Sequence, residues 1–119
     1  MEIKIRSFAD AGSPMKDRLI LDVLSDADIG EYLVLYSEAS SDGGATAGQH
    51  AAYWFPDKNV KAGDVVVLYS KSGTNSEKKL EDGRVAHFFY WGCKSPMWGE
   101  HGWGAVLMQA KNWNFRKSE

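Results

Sequence analysis

Apolar and polar residues alternate along much of this chain with a period of two. In the segment EIKIRSF near the N-terminus, Ile3 and Ile5 point to one side, whereas Lys4 and Arg6 point to the other. This alternation is typical of a β-strand that buries one face. The one segment with helical signals is SDADIG, where Ser25 stands as N-cap and Gly30 as stop, and it is no longer than a turn. The pattern therefore predicts a β-rich fold.

Seven segments are predicted to be strands. Two of them, EYLVLYS and DVVVLYS, are nearly continuous apolar runs, which is typical of central strands in which both faces are covered or one face carries aromatics. In RLILDVLS the apolar run is interrupted by Asp22, which we expect to reach solvent or a partner. Seven short strands at such spacings favour an all-β sandwich or barrel. The predicted strands span residues 2–8, 18–25, 31–37, 51–55, 64–70, 84–92 and 103–110, with long connections at 37–49, 71–83 and 93–102.

The stretch YWFPDKNVKAGDVVVLYSKSG, residues 53–73, predicts a corner between two strands. Pro56 lacks a backbone N–H and ends the first strand. Val60 is then expected to return to the core, and Gly63 supplies a permissive backbone position before the next buried strand.

Composition narrows the class of protein. A chain of 119 residues can form one hydrophobic core, and a formal charge of -2 gives no general attraction to nucleic acid or anionic membranes. The N-terminus has no apolar secretion signal, and no run approaches the roughly 20 apolar residues that span a bilayer. The one cysteine, Cys93, excludes an internal disulfide and fits a reducing compartment. We therefore expect a cytoplasmic protein without membrane contact.

Several of these segments resemble the lamin-tail domain family, which has an immunoglobulin-like β-sandwich fold. GEYLVLYS (30–37) resembles a conserved strand of that family, and Phe55, Pro56 and Asp57 with Ala62 and Gly63 resemble its corner motif. HGWGAVLMQA (101–110) lies where the family has its last strand. At Val34 and Leu35, however, the chain lacks the glutamate that the family commonly places before a leucine.

The resemblance implies an immunoglobulin-like β-sandwich of about seven strands, formed by residues 1–113 and followed by a tail at 114–119. It also implies a scaffold that contacts proteins or, in some members, nucleic acid. The family has no common catalytic residues, so the resemblance assigns none and implies no cofactor.

The five tryptophans are the main candidates for binding. Trp54, Trp91 and Trp103 are expected to fill the core, because each buries a large area. Trp98 lies in the 93–102 loop, and two alternatives stay open: it is buried, or it forms an exposed contact patch with Met97. The candidate binding residues are therefore Met97, Trp98, His101 and Trp103.

Other chemistry has weaker support. Cys93 with His87 or His101 would supply a nucleophile and a base, but the sequence indicates no acidic residue to orient the histidine. The histidines and the cysteine lack the close spacing of zinc ligands, so no metal site is predicted. The basic segment KNWNFRK (111–117) contains two aromatics, a pattern compatible with single-stranded nucleic acid, although a frayed terminus is the simpler interpretation.

The leading hypothesis for function is a non-enzymatic interaction module. Such a module would contact a protein partner or its own copies through loops and an open sheet edge. A carbohydrate-binding domain that uses Trp98 is the alternative, and a small cysteine-dependent enzyme is the third.

Overall fold

The protein is all-β in a computed structural model that describes residues 1–118. Ten strands form three sheets, and the helical structure within residues 1–118 is a single 3-10 turn, Ile29–Glu31. The strands are β1 (Ile3–Ala9), β2 (Arg18–Val23), β3 (Ala27–Asp28), β4 (Tyr32–Glu38), β5 (Ala52–Trp54), β6 (Asn59–Val60), β7 (Val65–Tyr69), β8 (Ser76–Lys79), β9 (Val85–Tyr90) and β10 (Trp103–Gln109).

The largest sheet has five strands in the order β1-β2-β7-β9-β8. A second sheet has the order β10-β4-β5, and β3 pairs with β6 in a small two-stranded sheet. All neighbours are antiparallel except β7 and β9. These two are parallel because β8, which lies between them in sequence, pairs on the far side of β9 and so reverses the chain once more.

The two larger sheets share one apolar core. Alternate residues of β2, β4 and β7 are fully buried in it, as the period of two requires. The aromatic ring of Phe55 stands edge-on to Phe89, with 5.1 Å between the ring centroids, and links the two sheets. Buried members of the cluster are Ile3, Leu19, Leu21, Val23, Ile29, Tyr32, Val34, Phe55, Val60, Val66, Leu68, Phe89, Met97 and Trp98.

Each of the seven predicted strands overlaps an observed strand, but three strands were missed. Two of these, β3 and β6, have only two residues each. The third, β8, lies inside the predicted loop 71–83, and all four of its residues are exposed. An edge strand with no buried face has no apolar alternation, so the sequence pattern does not reveal it.

The local predictions around the turns have mixed outcomes. The interpretation of Ser25 as an N-cap is wrong, because Asp28 caps the 3-10 turn by accepting from the Gly30 N–H at 2.8 Å. The corner is confirmed, since β5 ends before Pro56, Val60 is buried, and Gly63 has a φ of 91°.

At the N-terminus, Asp22 reaches a partner as expected, since its carboxylate accepts from Arg6 Nε at 2.8 Å. Ile5 stands opposite the buried Leu21 and so shares the face of Ile3, as the alternation predicted, but it is 38% exposed because β1 is the edge strand of its sheet. A bulge follows between Ile5 and Ser7. The division into a domain and a tail stays a prediction, and Glu119, the last residue of that tail, lies outside the described residues.

Candidate interaction surface

The outer face of the β10-β4-β5 sheet is built largely from apolar residues. Residues directly opposite each other on paired strands share a face of the sheet, and alternate residues along a strand point to opposite faces. Val34 is buried in the core, so its neighbours Leu33 and Leu35 point outward. Together with their cross-strand partners they form a set that we call the apolar face: Leu33, Leu35, Ala52, Trp54, Val106 and Met108.

None of these six positions is charged or polar, and several are open to solvent. The side chain of Trp54 is 50% exposed and that of Met108 is 44% exposed. Leu33, Leu35 and Val106 are half-buried. An exposed, contiguous apolar surface on a soluble domain marks a contact site more often than a random feature.

The outer face of the five-stranded sheet has a different character. Arg18 and Asp22 project there from β2, and Lys78 projects from β8. Arg18 lies over the ring of Tyr69 at 5.7 Å, and Lys71 lies over the same ring at 5.0 Å. Cations and aromatics thus cover this second face, and its central residues are buried within the chain itself.

A ridge of two tryptophans stands at one end of the apolar face. The indole Nε1 of Trp54 donates to the carbonyl oxygen of Gly30 at 2.8 Å, which fixes the orientation of this exposed ring. Trp113, from the segment that follows β10, stands perpendicular to it, with 4.9 Å between ring centroids. Trp113 is 63% exposed, and Phe115 further along is 76% exposed. This Trp54–Trp113 pair is called the ridge below.

A hollow of about 260 Å³ lies at the other end of the apolar face. Its floor includes Gly104, which points outward because it alternates with Val106 and Met108. A methyl group at Gly104 would meet no atom within 4 Å, so there is open space directly above the strand. The lining comes from residues 37–39, 43–45 and 102–106.

One edge of the same sheet is open. The N–H of Ala39 donates to the carbonyl of Gly102, and the N–H of Ala110 donates to the carbonyl of Glu31. The even-numbered residues of β10 are therefore the ones whose backbone groups bond to β4. Antiparallel ladders alternate, so the backbone groups of Ala105 and Leu107 point away from β4. β10 is therefore an unpaired edge along its odd-numbered residues.

The structure resolves the two alternatives for the 93–102 loop in favour of burial. Trp98 is only 5% exposed, and Met97 is buried beside it, so the hypothesis of an exposed Met97–Trp98 patch is wrong. The cause is Asp17, a buried carboxylate that accepts from the N–H groups of Met97 at 2.9 Å and Trp98 at 3.3 Å. The Trp98 ring then packs against Phe8, Tyr36 and Trp91.

The remaining candidates are scattered. Trp103 is half-buried and stacks on Tyr36 with 4.5 Å between ring centroids, whereas His101 is exposed in the turn before it. Trp54 was expected in the core, and that prediction is wrong because its strand position points outward. The sequence pattern therefore selected Trp98, which is buried, as the candidate for binding and missed Trp54, which is exposed.

The groups that could serve catalysis do not converge. The Cys93 thiol points to the sulfur of Met97 at 3.6 Å, and burial raises its pKa, with a further rise from the nearby Asp17. An activated cysteine needs the opposite shift. His87 Nε2 instead pairs with Asp64 Oδ2 at 2.9 Å, and both side chains are buried.

Asp64 is held ionised by this pairing. Burial acts to raise its pKa, but the hydrogen bonds from His87 and from the Lys61 and Val85 N–H groups outweigh burial and lower it. Neither residue of the pair lines the hollow. The bond from the Lys61 N–H to Asp64 stabilises the turn before β7.

Residues 1–118 contain no group of three His, Cys, Asp or Glu side chains that could hold a metal ion. No helix in the same part of the chain is long and apolar enough to cross a membrane. A scan against protein-family models gives no match, and a search of the curated proteins gives no significant one. The lamin-tail resemblance therefore stays a prediction.

Proposed function

We propose that this protein is a non-enzymatic interaction module that contacts another protein chain through the apolar face. The observation that carries the proposal is that six outward positions of the β10-β4-β5 sheet form one apolar surface, with Trp54 and Met108 about half exposed. Protein interfaces are enriched in aromatic residues and methionine and depleted of charge at their centres. A ring held in place by its own hydrogen bond, as Trp54 is, loses little conformational entropy when it is covered.

The scaffold of this module is proposed to be an immunoglobulin-like β-sandwich of the lamin-tail type. Support comes from the shared core of the two larger sheets, since such a core is what two stacked layers require. The Phe55-Pro56-Asp57 corner, followed by Gly63 with its positive φ, is consistent with the motif on which the resemblance rests.

The carbohydrate-binding alternative has less support. Trp98, its main candidate, is buried, and the exposed Trp54 and Trp113 rings are perpendicular at 89°. Two perpendicular rings do not make a flat platform for a sugar. The hollow of about 260 Å³ is also smaller than the roughly 300–1,000 Å³ of pockets that hold small molecules.

Site-specific photo-crosslinking tests the proposal. A photoreactive p-benzoylphenylalanine in place of Val106 should give protein adducts on illumination in intact cells. The matched control places the same group at Ile20, also half-buried and outward-facing but on the five-stranded sheet. Adducts at position 106 that are absent at position 20 support the proposal. No adducts at position 106, or equal adducts at both, would contradict it.

A further inference from the structure

We infer that the partner of the apolar face is a second copy of this chain, in a two-fold dimer where the ridge of each copy occupies the hollow of the other. This inference rests on the proposed function and deepens it by naming the partner. Isologous dimers require one surface that is complementary to itself. The apolar face has this property because a protrusion and a depression lie at its opposite ends.

The spacing of the two features fits such an arrangement. The ridge begins at Trp54 on β5, in the same cross-strand row as Leu33 and Met108, whereas the hollow lies above Gly104, four residues from Met108 on β10. The two features are therefore separated by roughly 14 Å along the strands and about 10 Å across them. A two-fold axis in the plane of the contact, passing near Leu35 and running obliquely to the strands, exchanges these two ends. Each ridge then meets the opposite hollow, while the flat centres of the two faces pack on each other.

The size of the hollow fits a side chain better than a free ligand. Its volume of about 260 Å³ suits one large aromatic ring with its surrounding contact space. The open space above Gly104 is retained because glycine replaces the side chain that the strand pattern would otherwise place there. Trp113 and Phe115 are the most exposed aromatic side chains of the described residues, and they supply such rings.

The area available also favours a second copy that includes its C-terminal segment. The sheet face alone offers roughly 280 Å², given strands about 4.8 Å apart, of which β10 and β4 have seven residues and β5 has three. A standard interface needs about 800 Å² from each partner. Trp113 and Phe115 can each add roughly 150–250 Å², which brings the total close to that value.

The two ends differ in charge, with Glu31 as an acidic residue at the ridge end, where its carbonyl accepts from the N–H of Ala110. The exposed Glu38 lines the hollow, and the exposed Asp42 lies in the hairpin whose glycines form its wall. The exposed Lys111 and Arg116 flank Trp113 and Phe115 on the segment that follows β10. Exchange of the two ends brings acidic residues of one copy close to basic residues of the other at both contacts. This favours the arrangement in which ridge meets hollow over one in which the two ridges meet.

Sedimentation velocity over about 10–200 μM tests the inference. The wild-type chain should shift with concentration from 13.2 kDa toward twice that mass. Gly104→Leu fills the hollow, where the structure offers free space, so it should weaken the dimer by about tenfold or more without lowering the thermal midpoint. Trp113→Ala should weaken it by a similar factor.

A methionine pair provides the matched control. Met108→Asp places a charge on the apolar face and should abolish the dimer, whereas Met15→Asp makes the same change at an exposed turn and should leave it intact. A wild-type chain that stays at 13.2 kDa throughout would overturn the inference, as would a dimer indifferent to Gly104→Leu and Met108→Asp.

The outcome also separates the inference from the proposed function. A monomeric chain that still forms adducts with a different protein at position 106 would refute self-association and leave the interaction module standing. A monomeric chain with no adducts at position 106 would refute both.

Discussion

Replacing the buried carboxylate of Asp17 should destabilise the protein strongly, because this one side chain organises a whole loop. Asp17 is 1% exposed, and its side chain accepts from three backbone N–H groups that lie 5, 80 and 81 residues away in sequence. Its backbone carbonyl additionally accepts from the N–H of Ser70 at 3.1 Å. One residue thus fixes the 93–102 loop against the start of β2.

Asp17→Asn gives a magnitude that the geometry allows us to work out. Oδ1 accepts from Gly12 at 2.9 Å and Trp98 at 3.3 Å, and an asparagine oxygen can retain both bonds. The amide group would replace Oδ2 and face the N–H of Met97, so one bond of 2.9 Å is lost and two donors oppose each other. A hydrogen bond to a charged acceptor contributes about 1.5–3 kcal/mol, so we expect a loss of about 2–3 kcal/mol in the free energy of unfolding.

Urea unfolding followed by tryptophan fluorescence measures this loss, and amide hydrogen exchange at Met97 and Trp98 locates it. The matched control is Asp26→Asn, because Asp26 is exposed and accepts a single backbone bond from Ala62. That change should cost about 0.5 kcal/mol or less. If Asp17→Asn were no more destabilising than Asp26→Asn, or if the Met97 amide kept its protection, the account of the loop would be refuted.

Three further substitutions test separate parts of the structure. Asp64→Asn should cost about 2 kcal/mol near neutral pH. The pKa of Asp64 is lowered in the fold from its ordinary value of 3.8, so its contribution is present above pH 3.8 and is lost as pH falls through the lowered folded value. Chemical denaturation at several pH values should therefore show the wild-type and variant stabilities converging only below pH 3.8. Trp98→Ala should lower the free energy of unfolding by about 3–5 kcal/mol in urea titrations, because it empties a core position, and a change under 1 kcal/mol would contradict the burial. Gly99→Ala would press a methyl group into the Gly12 backbone and should lower the thermal midpoint, whereas Gly104→Ala enters open space and should not; equal midpoints would refute the close approach.

The strands were predictable because their alternation is a local property of the sequence. β4, β7, β9 and β10 each lie within a predicted segment, allowing one residue at the ends. β8 was not, since its four residues are all exposed and it is held in place by pairing with β9. β8 is therefore a strand because of its pairing with β9, and its own sequence pattern does not indicate it.

The tryptophans show where local reasoning stops. Trp54 lies between Tyr53 and Phe55, so three consecutive aromatics give alternation no polar residue by which to identify the outer face. Only the pairing of Trp54 with Leu33 shows that it points outward. Trp98 is buried because of Asp17, which is 81 residues away in sequence, and no local pattern contains that information.

The two longest apolar runs support the proposal that the apolar face contacts a partner. EYLVLYS and DVVVLYS are both nearly continuous apolar runs, a pattern typical of central strands in which both faces are covered or one face carries aromatics. The second run forms β7, a central strand of five, and its outward residues Val65 and Val67 are only 9% and 6% exposed.

The first run forms β4, which lies between two edge strands that contribute Gly104 and Ala52 to the outer face. Leu35 lies between Val106 and Ala52, which are too small to cover it, so it stays half-buried, and Leu33 between Met108 and Trp54 is half-buried as well. The outward residues of β7 are thus buried by the rest of the chain, whereas those of β4 are only half-buried. Within residues 1–118 the outer face of β4 is left partly open, and this supports the proposed contact with a second copy.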